Sequence, residues 1–469
     1  MSAIVGVGAY APRFRISAEA FEEAWGRFDA AGVNGKAVPA ADEDPLTMGY
    51  EAATRALEAA GVEGVDWLAF ASTTPPMAEE DLTARLGAML DLPEDVGRHV
   101  LTGSTRAGTR GIVAAADALA GGASRALVVV ADAPRGEPDG EIDHAAGAGA
   151  AAFVLEADGP ARIVDVAEHA SPYPGSRFRG TGEATTDGLG VTRYDRRAFR
   201  ETVGAAVDGL SVDPDAVAIQ APNGKLPYRA AGDLGVDAET IASVATVHEL
   251  GDLGAASVPV TLARALADGH GSILAVAYGS GAGADALVVE ADGPVSTALA
   301  LDGDDPLGYA EYLRQRGVVT AGPPSGGGAY VSVPTWQRSI PQRYRLEAGR
   351  CPDCGALAFP PEGACPACGS REPFGAATLT GEGTIEAVTT ISQGGAPPEF
   401  ADLQSRAGDY AAAIVSLEGE DGGAVSAPAM GTDAEADAFA VGDRVEATIR
   451  RIYTQEGVTR YGFKIRPAE

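Results

Sequence analysis

Lysine is scarce in this chain of 469 residues, where only Lys36, Lys225 and Lys464 occur and arginine supplies the other basic side chains. The chain carries 66 acidic against 35 basic residues, a formal charge of −31. Such a charge repels phosphate backbones and anionic lipids, so we expect neither a nucleic-acid partner nor a membrane partner. This balance is typical of halophilic proteins, whose surrounding salt screens the self-repulsion, although an acidic protein from a GC-rich bacterium would also fit.

Long hydrophobic runs are missing as well. No stretch of about 18 apolar residues occurs, which a membrane-spanning helix would need, and no positively charged leader precedes an apolar segment at the N-terminus. These absences favour a protein that stays in the cytoplasm.

Cysteine is absent from residues 1–350 and confined to one short window. Cys351 and Cys354 form one pair, Cys365 and Cys368 form another, and glycine follows the second cysteine of each pair. This spacing is typical of metal binding in a reducing compartment rather than of disulfides. Four thiolates complete a tetrahedral shell that leaves no position for substrate, so we predict a structural zinc ion, with rubredoxin-like iron as the chemical competitor.

The length predicts more than one folded unit. Through about the first three hundred residues, β-branched runs alternate with alanine-rich amphipathic stretches, which predicts an α/β fold with parallel strands and crossover helices. The predicted strands are residues 3–7, 67–71, 126–131, 151–155, 161–166, 216–220, 272–277 and 286–290. The predicted helices are residues 45–60, 109–119, 197–210 and 258–268. The two series follow the same order, which indicates an internal duplication.

The pattern divides the chain into four segments. Residues 1–318 form the α/β domain, with repeated halves of about 1–160 and 161–318, and the Gly-, Pro- and Ser-rich residues 319–335 form a linker. Residues 336–372 hold a basic helix and the cysteine pairs. Residues 373–469 alternate as expected of a small antiparallel β-barrel of OB-like type.

The C-terminal order of basic helix, cysteine pairs, Pro360-Pro361 and a barrel that starts at Gly381 resembles the zinc-ribbon OB proteins that accompany archaeal thiolases. The resemblance implies a module that binds an acyl-CoA enzyme and bridges it to a partner. OB barrels also bind oligonucleotides, but the few aromatic and many acidic residues argue against that use here.

Residues 4–16, 42–48, 222–225 and 278–283 together resemble archaeal hydroxymethylglutaryl-CoA synthase, with a match that runs in order through residues 1–318. The resemblance implies a duplicated thiolase fold, an acyl-CoA ligand and a role in isoprenoid synthesis. It also implies a homodimer or higher oligomer, or a pairing with an active thiolase-family paralogue.

The chemistry of that family uses a cysteine nucleophile at a helix N-terminus, a histidine and a proton-transferring glutamate. On this chain the family's cysteine falls on Thr105, its histidine on Gln220, its glutamate on Thr73, and the asparagine of its Gly-Asn pair on Asp252. A threonine hydroxyl is far less acidic than a thiol and needs a base to become a nucleophile. We therefore expect the family's condensation to be lost.

Other residues complete the predicted site. If Ser104 or Thr105 acts as a nucleophile instead, His248 is the candidate base. The resemblance places Asn223 and Lys225 near the nucleotide end of CoA, where Lys225 either contacts phosphate or forms a surface salt bridge. Gly279, Gly281 and Gly283 would form a tight turn beside the pantetheine channel, and Arg106 faces either solvent or ligand.

Two functions follow from these residues. The first is an acyl-CoA-binding scaffold or regulatory subunit of an acyl-CoA-condensing complex, with its catalytic positions replaced. The second is an active acyltransferase of hydroxymethylglutaryl-CoA synthase or ketothiolase type with an altered site. The sequence leaves open whether the protein is an enzyme, and a stable acyl adduct on Ser104 or Thr105 would favour the second function.

Overall fold

A computed structural model describes residues 2–320, 330–392 and 394–468. The chain forms two compact units. Unit 1 comprises Met1–Pro39, Asp44–Gly87 and Leu92–Tyr312, and unit 2 comprises Ala40–Glu43, Ala88–Asp91 and Leu313–Glu469. Residues 321–329 of the predicted linker lie outside the described residues. Within the described part of the chain, no helix combines the length and apolar character needed to cross a membrane.

The strands of unit 1 are β1 (Ser2–Tyr10), β2 (Phe14–Ser17), β3 (Gly35–Val38), β4 (Trp67–Ala71), β5 (Gly97–Leu101), β6 (Arg125–Asp132), β7 (Gly149–Glu156), β8 (Ala161–Ala170), β9 (Ala216–Ile219), β10 (Ser272–Gly279), β11 (Gly283–Ala291), β12 (Ser296–Ala300) and β13 (Asp305–Pro306). Its helices are α1 (Ala18–Trp25), α2 (Pro45–Ala60), α3 (Leu82–Met89), α4 (Ala107–Ala120), α5 (Glu141–Ala145), α6 (Thr192–Val207), α7 (Leu226–Arg229), α8 (Ala238–Ala242), α9 (Val247–Leu250), α10 (Ser257–Ala267) and α11 (Tyr309–Gln315). The last residues of α3 and α11 belong to unit 2.

One large mixed sheet organises unit 1. Its strand order is β5-β4-β6-β7-β1-β8-β11-β10-β9, with β12 paired to β1. The order outward from β1 is β7, β6, β4 and β5, and the order outward from β8 is β11, β10 and β9. The second half therefore repeats the first with one strand fewer, as the duplication in the sequence predicted. A separate small sheet has the order β13-β2-β3.

The core of unit 1 forms where helices pack on both halves of the sheet. Buried side chains of α4 and α10, among them Ile112 and Leu262, join those of the strands in one apolar cluster. The contact of α2 with β1 is especially close, since a Cβ added to Gly8 would lie 2.1 Å from the carbonyl oxygen of Ala52. Glycine at position 8 is therefore required for this packing.

Capping residues mark both ends of helix α2. The Asp44 carboxylate accepts hydrogen bonds from the backbone amides of Leu46 and Thr47, and the Thr47 hydroxyl accepts from the Asp44 amide. Pro45 occupies the first turn, and Gly61 ends the helix at a φ of 65°. These start and stop signals fix both ends of the helix at the predicted residues.

Unit 2 carries its own helices and strands. The helices are α12 (Val333–Arg338), α13 (Ile340–Arg345) and α14 (Ala401–Ala407). The strands are β14 (Glu347–Arg350), β15 (Leu357–Ala358), β16 (Gly375–Ile391), β17 (Tyr410–Gly419), β18 (Ala424–Met430), β19 (Arg444–Gln455) and β20 (Val458–Pro467). The single basic helix expected after residue 336 is thus two short helices, because Pro341 begins a second helix after Ser339.

Five strands of unit 2 form a closed ring. Antiparallel pairs join β16 to β17, β17 to β18, β16 to β19 and β19 to β20. A parallel bridge between Gly431 and Ile465 connects the end of β18 to β20. The apolar core of this barrel includes Ile385, Val415 and Ile465.

Unit 2 also encloses a cluster of charged groups. The Lys464 ammonium donates to Asp42 at 2.8 Å, and the Thr432 hydroxyl donates to the same carboxylate at 2.9 Å. Burial opposes ionisation of Asp42, but the charges of Lys464 and Arg450 outweigh it and lower its pKa to about 2. The Asp42 segment is therefore held in unit 2 as a buried anion.

Candidate functional site

The candidate site lies where several strands of unit 1 end. Strands β4 and β6 are parallel neighbours, and β9 and β10 are another parallel pair. The carboxyl ends of parallel strands meet at one edge of a sheet, where sites commonly form. Thr73 follows β4, Asp132 ends β6, Gln220 follows β9, and Tyr278 lies near the end of β10. The predicted positions are therefore brought together by topology rather than by sequence spacing.

Thr105 is buried in the turn before α4. Its hydroxyl donates a hydrogen bond to the main-chain oxygen of Tyr278 at 2.5 Å. The neighbouring Ser104 hydroxyl accepts from the Arg106 amide at 3.3 Å. In the described residues neither hydroxyl is hydrogen-bonded to an imidazole or a carboxylate, so neither has a partner that could remove its proton.

The side chains of Gln220 and Asp252 are hydrogen-bonded to each other. The Gln220 side-chain nitrogen donates to the Asp252 carboxylate at 3.3 Å and to the Gly254 carbonyl at 3.0 Å. Asp252 is buried and its second oxygen accepts from Arg177 at 2.6 Å. The pair is therefore fixed by an arginine that the sequence did not point to.

Thr73 has a different partner. Its hydroxyl donates to the Asp132 carboxylate at 2.6 Å, and Asp132 also accepts from the Ala255 amide at 2.8 Å. Asp132 is fully buried. Thr73 thus carries a hydroxyl that helps to hold a buried carboxylate, and it supplies no acid or base of its own.

A cavity of about 320 Å³ connects these positions. Thr105, Gln220 and Asp252 line it, together with Asn223 and Tyr278. Thr73, His248 and Lys225 are not among the described residues of its wall. Burial raises the pKa of Tyr278 to about 12, so its phenol stays protonated at neutral pH and cannot act as a base.

The same wall carries carboxylates that the sequence analysis did not single out. Glu137, Glu141, Asp187 and Asp195 line the cavity beside Asp252. Burial, reinforced by the charge of Asp195, raises the pKa of Glu141, and burial alone raises the pKa of Asp195. These residues come from a loop, from α5 and from α6, and no motif marks them, so only the fold reveals them.

The predicted nucleotide-binding residues lie beside this cavity. Asn223 accepts from the amides of Lys225 and Leu226, both at 3.0 Å, and so orders the turn before α7. The Lys225 side chain is exposed, and the described residues offer it no salt-bridge partner. The surface salt bridge considered for Lys225 is therefore not seen.

The glycine-rich turn serves packing in this structure. A Cβ on Gly279 would lie 2.3 Å from the Ser104 hydroxyl oxygen, and one on Gly283 would lie 2.0 Å from an Arg106 nitrogen. Gly281 faces open space at a φ of 99°, a backbone conformation that favours glycine. Two of the three glycines thus make room for side chains of the turn before α4.

Arg106 faces neither solvent nor ligand, since it is buried against acidic residues. Its Nε donates to Asp285 at 3.0 Å, and its Nη2 donates to Glu168 at 2.5 Å. Although burial opposes it, these hydrogen bonds and charges raise the pKa of Arg106. Arg106 therefore ties the turn before α4 to β11 by a buried ion pair with Asp285, and to β8 by a second ion pair with the exposed Glu168.

His248 lies at a different cavity, of about 390 Å³, whose wall includes Arg15 and Asp302. One ring nitrogen contacts the Gly32 carbonyl at 2.5 Å and the other contacts the Tyr228 hydroxyl at 2.6 Å. Both nitrogens are thus occupied away from Thr105. The geometry gives no support to His248 as a base for Thr105 or Ser104.

The four cysteines of unit 2 form a metal site. Their sulfur atoms all lie within 4.8 Å of one another, and the pairs Cys351 with Cys368 and Cys354 with Cys365 are 3.7 and 3.6 Å apart. Four sulfurs around zinc at about 2.3 Å would be separated by about 3.8 Å, so the donor set fits. Gly355 and Gly369 adopt φ values of 74° and 76° and close the two knuckles.

Residues 338–373 match the family model described as ChsH2, rubredoxin-like zinc ribbon domain. The match covers all four cysteines. Unit 2 therefore contains a zinc ribbon, as the spacing predicted, and its tetrahedral thiolate set is of the closed, structural type.

Solved structures resemble the larger part of the chain. A structure of MvaS in complex with 3-hydroxy-3-methylglutaryl coenzyme A has a TM-score of 0.59 at 18% identity and covers 70% of this chain and 94% of that one. Another, 3-oxoacyl-(acyl carrier protein) synthase III, FabH from Pseudomonas aeruginosa PAO1, has a TM-score of 0.57 at 20% identity and covers 63% and 99%. These likenesses show a thiolase-like fold.

Sequence relatives are closer. Hydroxymethylglutaryl-CoA synthase from Archaeoglobus fulgidus is 30% identical over 299 residues, which cover 60% of this chain and 86% of the relative. The same enzyme from Caldivirga maquilingensis is 31% identical over 294 residues, covering 59% and 84%. At this identity and coverage, the chain belongs to the hydroxymethylglutaryl-CoA synthase family.

Proposed function

We propose that this protein binds acyl-CoA without performing the family's condensation, and that it serves as a scaffold or regulatory subunit of an acyl-CoA-condensing complex. The observation that carries the proposal is the hydrogen bond from Thr105 to the Tyr278 carbonyl at 2.5 Å. A carbonyl oxygen cannot accept the proton permanently, so the hydroxyl stays a weak nucleophile.

The remaining positions support the same conclusion. The only donor group of Gln220, its side-chain amide nitrogen, is hydrogen-bonded to Asp252 and Gly254. It therefore offers no donor to a thioester oxygen. Asp252 is neutralised by Arg177. Thr73 donates to Asp132. Each group that would move a proton or stabilise an oxyanion is thus replaced by one already engaged elsewhere, and loss of such a set costs several powers of ten in rate.

Retained features favour CoA binding. The cavity beside Thr105 has a volume of about 320 Å³, which is available to an acyl group. Lys225 and Arg229 are both exposed at α7, next to cavity residues Asn223 and Leu226, and the described residues give neither a salt-bridge partner. In a chain with a formal charge of −31, this pair of cations is suited to the phosphates of CoA. Solved structures with the same fold contain CoA or its hydroxymethylglutaryl thioester.

Unit 2 would supply the docking function. The ring order β16-β17-β18-β20-β19, closed by a parallel bridge, is the arrangement expected of an OB barrel. We assign the barrel and zinc ribbon as a fused version of the module that accompanies archaeal thiolases. Its role would be to contact an active acyl-CoA enzyme of the cytoplasm, in a pathway of the isoprenoid type.

A homodimer, or a heterodimer with an active paralogue, is the proposed assembly. Strand β5 ends the large sheet, and Val100 on it is exposed. An open edge strand presents unpaired backbone groups to a second sheet. Size-exclusion chromatography with light scattering would show a mass of two chains, whereas a monomer at micromolar concentration would contradict this part of the proposal.

The catalytic claim is tested by pairing a binding and a turnover assay. Isothermal titration calorimetry should show CoA and acetyl-CoA binding to the full chain, while a thiol assay shows no CoA release above the rate without protein. The variant Lys225→Met should bind both ligands more weakly, and its matched control Lys225→Arg should bind them as tightly as the unmodified protein does. Release of CoA at enzymic rates would instead establish the protein as an active acyltransferase with an altered site.

A further inference from the structure

The cavity beside Thr105 presents unused hydrogen-bond acceptors. Gln220 is 2% exposed, and its side-chain oxygen is buried without a hydrogen-bond partner in the described residues. One carboxylate oxygen of Asp195 is also buried without a partner there. Both residues line the cavity. Buried acceptors of this kind cost about 1–3 kcal/mol each unless water or a ligand satisfies them.

The orientation of the Gln220 amide is fixed by its neighbours. Its nitrogen contacts two acceptors, the Asp252 carboxylate and the Gly254 carbonyl. A flipped amide would place its oxygen against both, which would replace two hydrogen bonds by two repulsive contacts. The oxygen is therefore the atom of Gln220 left without a partner in the described residues, and it is an acceptor, the reverse of the donor that an oxyanion requires.

The charged side chains that line the cavity also favour a hydrogen-bond donor over an anion. Five carboxylates line the cavity, namely those of Glu137, Glu141, Asp187, Asp195 and Asp252, against one guanidinium, that of Arg177. That guanidinium already pairs with Asp252 at 2.6 Å. Its other terminal nitrogen, buried and unpartnered among the described residues, is suited to an uncharged carbonyl oxygen. A negatively charged acyl group would meet the remaining carboxylates without a free cation.

We propose that this cavity selects acyl thioesters whose acyl group carries a hydrogen-bond donor, an ammonium or a hydroxyl, and excludes those that end in a carboxylate. The inference rests on the proposed binding of acyl-CoA and adds the specificity of that site. Gln220 and Asp195 are the specificity-determining acceptors. An ammonium group has three donors and lowers the local negative charge, whereas a hydroxyl has one donor and leaves that charge unchanged.

The test compares five ligands by calorimetry on the full, zinc-loaded chain. CoA and acetyl-CoA report the binding shared by all five ligands. β-Alanyl-CoA carries an ammonium, 3-hydroxybutyryl-CoA carries a hydroxyl, and succinyl-CoA carries a carboxylate. Relative to acetyl-CoA, we expect the ammonium or hydroxyl ligand to bind about tenfold tighter and the carboxylate ligand about tenfold weaker. An ammonium-only gain identifies charge as the selecting property, and a gain with both identifies hydrogen bonding.

Asp195→Asn separates selection from folding. The change keeps the side-chain shape and removes the charge, so the affinity for β-alanyl-CoA relative to acetyl-CoA, measured on the same protein, should fall. Asp208→Asn, on the exposed end of the same helix, is the matched control and should change nothing. Equal affinity for all thioesters, or tightest binding of succinyl-CoA, would overturn the selectivity alone. Failure of CoA itself to bind would overturn the proposed function first.

Discussion

The three lysines occupy contrasting environments. Lys36 is buried in unit 1, where it donates to the Asp143 carbonyl and, at 2.9 Å, to the Tyr312 hydroxyl. Lys464 is buried in unit 2 against Asp42. Lys225 is exposed. Two lysines thus hold the fold and the third is available to a ligand.

This contrast gives a paired prediction. Lys36→Met should lower the free energy of unfolding by about 3 kcal/mol, because it removes a cation from a buried polar network. Lys225→Met should change the free energy of unfolding by less than about 0.5 kcal/mol. It should lower the affinity for CoA and make that affinity less dependent on salt. Urea denaturation and calorimetry measure the two effects, and a stability loss at Lys225 with unchanged CoA affinity would reverse their roles.

Thr105 permits a gain-of-function prediction. Thr105→Cys places a thiol beside the N-terminus of α4, where the helix dipole favours thiolate. Incubation with acetyl-CoA should then give a slowly formed acetyl adduct on Cys at position 105, detected by intact-mass spectrometry.

Thr105→Ser is the control for that experiment, since it keeps the alcohol and should stay unmodified. A Thr105→Cys protein that binds acetyl-CoA yet gains no adduct would show that the thioester does not reach this turn.

The Arg177–Asp252 pair tests the organisation of the cavity. Arg177→Met leaves a buried carboxylate without its cation, so we expect a loss of about 3 kcal/mol in the free energy of unfolding. Adding Asp252→Asn should recover much of it, because the neutral amide needs no cation. Arg200→Met removes an exposed pair with Asp233 and should cost less than about 1 kcal/mol. Additive losses in the double variant would contradict the coupling.

At the scale of elements, buried strands and capped helices were predictable and edge elements were not. Helix α2 agrees with its predicted ends because Asp44 and Gly61 mark them. Strand β5 was missed, since its Gly97-Arg-His-Val-Leu101 sequence is short, polar and largely exposed. Its place is set by pairing with β4 rather than by its own pattern.

The candidate site divides in the same way. Sequence motifs pointed to Thr105 and Gln220, and the structure places both in the cavity wall. Arg177 and Asp195 were not, because a loop and the face of α6 bring them to the cavity only after the chain has folded. Sequence proximity carries no signal for such contacts.

The zinc ribbon gives a prediction for one element. The purified chain should contain one zinc ion, and Cys365→Ser should lose it and make residues 351–370 sensitive to protease, since the metal holds both knuckles. Ser405→Ala, on α14 of the same unit, should retain the metal. Elemental analysis decides the point, and full zinc content after replacement of all four cysteines would refute this assignment.

For the whole molecule, the charge of −31 dominates the response to solvent. Self-repulsion falls as salt shortens the screening length from about 10 Å at 0.1 M to about 3 Å at 1 M. The melting temperature should therefore rise by about 10 °C between about 0.1 and 2 M KCl. NaCl at equal concentration should act alike, and a flat or falling melting temperature would contradict this account of the composition.

The whole chain combines a thiolase-like unit, in which the Thr105 hydroxyl is bonded to a carbonyl, with a zinc-ribbon unit. The most direct test of this account is intact-mass spectrometry of the unmodified protein after incubation with saturating acetyl-CoA. We predict an unchanged mass together with calorimetrically measured binding. An acetyl group on Thr105 or Ser104 would contradict the account and establish covalent catalysis.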